Sequence, residues 1–109
     1  MSITLPSPVA TFLAAMNDHD TATLLTTLAP NAVVGDEERE HRGHQDIAAW
    51  SDQVIADYDI AVAVQGTETR DGETIVTTLT SGTFDGSPLA FTYFFKLAGE
   101  KIAAVRIEN

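Results

Sequence analysis

Residues 32–50 read Ala-Val-Val-Gly-Asp-Glu-Glu-Arg-Glu-His-Arg-Gly-His-Gln-Asp-Ile-Ala-Ala-Trp. Two adjacent β-branched residues, Val33 and Val34, favour extended backbone, so Ala32–Val34 reads as a short strand. Gly35-Asp36 and the charged run Glu37-Glu38-Arg39-Glu40 read as a solvated turn or hairpin tip. A helix then starts at Gly43-His44-Gln45-Asp46 and runs to about Ala56, with Ile47, Trp50, Val54 and Ile55 at helical spacing. Asp36 stands where an apolar strand gives way to a charged loop, which makes it the first candidate for chemistry.

Working outward toward the N-terminus, Ser7-Pro8 is a helix start signal, a hydroxyl cap followed by proline. Val9, Phe12, Leu13 and Met16 then form one apolar face. Asn17-Asp18-His19-Asp20 breaks that helix. Asp20 caps a second, shorter one with Leu24, Leu25 and Leu28 facing inward, and Pro30-Asn31 ends it. Toward the C-terminus the period changes at Tyr58, where Ile60, Val62 and Val64 alternate with smaller or polar residues. Arg70-Asp71-Gly72-Glu73 carries the Asp-Gly hairpin signal. Strands follow over 74–84, over 89–97 (with Phe91, Tyr93, Phe94 and Phe95) and over 101–107, separated by Asp85-Gly86 and Ala98-Gly99-Glu100.

Three N-terminal helices followed by a four-strand meander predict an α+β fold, a cone of helices on a strongly curved antiparallel sheet. The space between helices and sheet is a natural apolar pocket. Phe94 alternates with Tyr93 and Phe95 and so points to the outer face, where it would otherwise meet water. A homodimer through that face is expected.

Composition narrows the function classes. At 109 residues, 44% apolar and 20% charged, the chain reads as one domain over 1–109 with a modest core. No apolar run is long enough for a membrane span, and the N-terminus lacks the pattern of a signal peptide, so a cytoplasmic location is expected. Six basic residues against sixteen acidic ones give a net charge of −10, which would repel a phosphate backbone, so nucleic acid is not an expected partner. The absence of cysteine excludes disulfides and thiolate metal sites.

The element order, with Leu-Ala-Pro-Asn-Ala-Val-Val entering the first strand and Gly-His-Gln-Asp-Ile-Ala-Ala-Trp starting the third helix, resembles the nuclear-transport-factor-2-like superfamily. That group includes the SnoaL-like polyketide cyclases and the ketosteroid isomerases. The resemblance spans essentially the whole chain; its motifs are specific for fold and weak for function. It implies that Asp36 matches the general-base aspartate of the isomerases. Their oxyanion-donating tyrosine falls on Phe12, which has no hydroxyl, and their second donor, a protonated aspartate, falls near Tyr93, which can donate.

The resulting reading is a small, largely apolar molecule bound in the cone, with cofactor-free proton transfer next to a carbonyl. Asp36 is the base, Tyr93 a hydrogen-bond donor, and Phe12, Met16, Trp50, Phe91 and Phe95 the walls. The alternative is a non-catalytic dimerisation or ligand-binding module. Asp36 then merely ends a strand, Tyr93 and Trp50 are core aromatics, and the pocket is filled by its own side chains. His41 and His44 straddle a glycine without a third ligand at recognisable spacing; a solvated pair is expected, and no metal. His19 reads as surface, and Arg106 as salt-bridged on the last strand.

Overall fold

A computed structural model of the protein describes residues 4–108. Two helices open the chain, α1 (Ser7–Asn17) and α2 (Thr21–Thr26), followed by the strands β1 (Leu28–Asp36) and β2 (Arg39–Arg42). The long helix α3 (Gly43–Tyr58) leads into β3 (Ala61–Arg70), β4 (Glu73–Ser81), β5 (Leu89–Ala98) and β6 (Lys101–Glu108). The six strands form one sheet in the order β2-β1-β6-β5-β4-β3. The meander β3 to β6 is antiparallel throughout, while β1 returns beside β6 in parallel. The result is the expected α+β cone of three helices against a curved, mostly antiparallel sheet.

Local chemistry explains most boundaries. Asp20 caps α2 as expected, its carboxylate accepting from the Thr23 amide at 3.1 Å and from the Thr23 hydroxyl at 2.7 Å. Ser7, expected as a cap, is instead the first residue of α1; Pro6 holds the cap position and makes no side-chain bond. The second helix stops at Thr26 rather than reaching Pro30, and Leu28 joins β1 while keeping its inward, buried position. Pro30 and Asn31 are tolerated within β1 because the ladder to β6 is irregular between Leu28 and Val33, where no amide donor is required. The charged run is a tight hairpin: Glu37 and Glu38 turn with positive φ, and Arg39–Arg42 pairs back on Val33–Asp36 as β2.

Alternation along the strands separates the sheet's two faces. The inner face carries Val34, Val76, Tyr93, Phe95 and Val105, packed against Val9, Phe12, Leu13 and Met16 of α1 and Ile47 and Trp50 of α3. Register shifts at Val64/Gly66 and Lys96/Leu97 bend the sheet around the helices. The free edge of β3 is closed by α1: the Asn17 side chain donates to the Val62 carbonyl at 2.9 Å and accepts from the Val62 amide at 2.6 Å. On the outer face Arg106 lies 4.1 Å above the ring of Phe94 and pairs with Glu73 and Glu108, as the salt-bridge expectation held. No helix among the described residues is long and apolar enough to cross a membrane.

Candidate functional site

The site begins with the parity of β1. Ala32 and Val34 point into the core, so Asp36, two residues on, projects its carboxylate to the same side, at the end of the strand where packing gives way to open space. The carboxylate is half-buried and lines the cavity between helices and sheet. Trp50, two turns into α3 and buried, donates its indole N–H to Asp36 Oδ2 at 3.0 Å. A single tryptophan thus joins the helix layer to the strand that carries the carboxylate, and the second carboxylate oxygen has no protein donor among the described residues.

Tyr93 stands on the inner face of β5, between Val76 of β4 and Ile107 of β6. It is almost fully buried, yet part of it lines the same cavity. Burial first, and the Asp36 charge second, push its phenol well above the ordinary tyrosine range; the neighbouring Thr80 hydroxyl opposes them. Thr80 also shares a 3.2 Å contact with the Thr78 hydroxyl, which donates to the Phe91 carbonyl at 3.1 Å, so a thread of hydroxyls runs down the inner wall.

The mouth is aromatic. Phe84 meets Tyr58 edge-to-face at 6.0 Å and Phe91 edge-to-face at 6.4 Å. The loop after β4 holds Phe84 there by leaning on the end of α3, where the Tyr58 carbonyl accepts from the Thr83 amide at 2.8 Å. Gly82 is what allows that approach, since a β-carbon at this position would stand 2.4 Å from the Tyr58 carbonyl oxygen. Asp59 ends α3 in the left-handed region, which turns the chain into β3 at this rim.

Of the residues expected to form walls, Met16, Trp50 and Phe91 line the cavity together with Asp36 and Tyr93. Phe12 and Phe95 do not. Both are completely buried, packed edge-to-face on each other at 5.4 Å, and Phe95 stacks beneath Tyr93 at 6.0 Å. They support the wall from behind, because the inner-face aromatics of β5 point deeper with each step toward α1.

The histidines also differ from expectation. His44 is half-buried, its Nε2 within 3.2 Å of the Leu28 and Ala29 carbonyls, while His41 on β2 places its ring 6.0 Å from the ring of Trp50. They form no solvated pair: the β1–β2 register sets His41 opposite Val34 and therefore inward. His19 is exposed as expected, with Nε2 at 3.0 Å from the Ile60 carbonyl and 3.5 Å from Asp59. Among the described residues no group of three histidine or carboxylate side chains is placed to hold a metal ion.

The family model of the SnoaL-like domain matches residues 9–105. The chain belongs to the SnoaL-like family. No curated protein matches its sequence. Among solved structures, this SnoaL-like domain is similar to a protein of Sinorhizobium meliloti that carries the provisional name polyketide cyclase, at 31% identity over 95% of each chain, with a TM-score of 0.92. It shares its fold with a Catenulispora acidiphila protein of ketosteroid-isomerase-like fold, solved in complex with trimethylamine, at 18% identity, 97% and 87% coverage and a TM-score of 0.84. A nuclear-transport-factor-2-like protein of Burkholderia pseudomallei shares it too, at 14% identity, 94% and 87% coverage and a TM-score of 0.83.

Sequence reasoning missed His41, Tyr58, Thr80 and Phe84 as members or neighbours of the site. For His41 the usable signal was the hairpin parity, since a turn at Glu37-Glu38 puts residue 41 on the same face as Asp36. Phe84 carried no such signal, because its place depends on a glycine fitting against a helix end.

Proposed function

We propose that this SnoaL-like domain binds a small, largely apolar molecule in the cone and moves a proton on the carbon next to its carbonyl, without a cofactor. Asp36 is the base and Tyr93 the hydrogen-bond donor to the carbonyl oxygen. The observation that carries the reading is the pairing of Asp36 with Trp50: one carboxylate oxygen is fixed at 3.0 Å by the indole, and the other is left toward the cavity that Tyr93 also lines. A fixed carboxylate in partly apolar surroundings suits proton abstraction. A phenol whose proton is held tightly serves as donor rather than as anion. With Phe12 in the core and lacking a hydroxyl, one oxyanion donor is missing, so turnover is slow.

The test is deuterium exchange at the acidic carbon of an aryl-substituted cyclohexenone, with wild-type and Asp36→Asn protein compared. A positioned base contributes roughly 10²–10⁴-fold, and Asp36→Asn should remove that acceleration while the ligand still binds. Equal rates for the two proteins would leave a binding module without chemistry. The homodimer through the outer sheet face belongs to this proposal; Leu79, the one large apolar side chain markedly exposed among the described residues, supports it together with Phe94.

A further inference from the structure

The cavity contains a charge imbalance. Its helical and inner-sheet walls are apolar or aromatic, with Trp50, Tyr58, Phe84, Phe91 and Tyr93 supplying the rings. Asp36 is held beside these rings by Trp50, and its hydrogen-bond partner is neutral. No described basic side chain forms an ion pair with it. Arg39, opposite Asp36 across the hairpin and so on the same side, is exposed; with Lys96 and Arg106 it lines the opening, where Glu73 and Glu108 pair with Arg106. His41 is the nearest imidazole, and it packs on the far partner of the same bond, the Trp50 ring.

From this we infer that the cone also takes apolar amines, whose ammonium group sits against the aromatic rings with Asp36 as its counter-ion. The inference rests on the reading that a small apolar molecule enters the cone, and it adds a second ligand class, for which Asp36 acts as counter-ion instead of base. An unpaired carboxylate among ring faces attracts an organic cation twice, through its charge and through the negative faces of the rings. The Asp36 charge is felt at the Tyr93 phenol, which lines the same cavity. The same field disfavours carboxylate and phosphate ligands, because six acidic residues line the cavity and its opening against three basic ones. A protein of net charge −10, with Glu37, Glu38 and Glu40 at the hairpin beside the opening, also draws cations toward it.

Calorimetric titration with three probes of one skeleton, 3-phenylpropylamine, 3-phenylpropanol and 3-phenylpropanoate, at about 0.15 M salt to suppress surface attraction, tests the inference. The ammonium should bind about tenfold more tightly than the alcohol, and the carboxylate most weakly. Asp36→Asn should bring the ammonium down to the alcohol's affinity. An alcohol that binds wild type as well as the amine does would overturn the inference and leave the apolar pocket standing. An amine preference that survives Asp36→Asn would overturn it as well, assigning the preference to the surface. Binding by none of the three would remove both the inference and the pocket reading.

Discussion

The indole of Trp50 holds Asp36 at 3.0 Å across the boundary between the helix layer and the sheet, so one contact fixes both a core packing position and the candidate base. The two ends of that bond answer differently to substitution. Asp36→Asn keeps an oxygen acceptor for the indole and should change stability by no more than about 1 kcal/mol. Asp36→Leu leaves the buried N–H without a partner and should cost about 1–3 kcal/mol. Urea denaturation of the two variants beside wild type reads the difference; equal losses would mean that the bond contributes nothing to folding.

Tyr93 makes stability depend on alkali. Its phenol is pushed upward in the folded chain, so above the unfolded tyrosine value near pH 10 the unfolded state sheds a proton that the folded state keeps. Stability from this group is therefore whole below about pH 10 and falls as pH rises, by about 1.4 kcal/mol per pH unit. Denaturant midpoints measured from pH 9 to 11.5 should show that fall in wild type and a shallower one in Tyr93→Phe. A Tyr93→Phe curve as steep as wild type would place the effect elsewhere.

Asn17 stands in for a neighbouring strand at the β3 edge, matching both the amide and the carbonyl of Val62. Asn17→Ala should destabilise by about 1–2 kcal/mol, two modest hydrogen bonds less some rehydration. Hydrogen exchange offers a local readout: the Val62 amide should lose protection in the variant while amides of β5 keep theirs.

The outer face should join two copies of the chain. Leu79, flanked across the ladders by Ala63 and Ala90, and Phe94 beneath Arg106 form its apolar part. Light scattering at micromolar concentration should give twice the chain mass, and Phe94→Asp should move the population to monomer by placing a charge in the interface. A wild-type monomer at that concentration would end the proposal.

Legibility in the sequence followed the range of the forces involved. Asp71-Gly72 and Asp20 were readable because a turn and a cap are decided within four residues. The meander was readable from alternation alone. Pro30 misled because its tolerance in β1 depends on an irregular ladder to a strand some seventy residues away in sequence. Phe12 and Phe95 were recognisable as inward but not as lying behind the lining, since depth within a cone is a property of how layers meet. His41 was hidden by its charged neighbours, which resemble a solvated loop although every second residue faces in.

The parallel pairing of β1 with β6 also governs when the site can exist. Val34 and Gly35, just before Asp36, take their backbone partners from Val105 and Arg106. Until residues 101–108 have been synthesised, the strand that aims the carboxylate has only the short β2 beside it. Contacts of such long sequence separation close late, because the loop entropy must be met before they form. The helices and the β3–β5 meander can assemble before β6 is in place, whereas the candidate centre is completed only once β6 has paired with β1. Point substitutions in β6 that disturb its pairing with β1 should therefore lower the yield of competent protein.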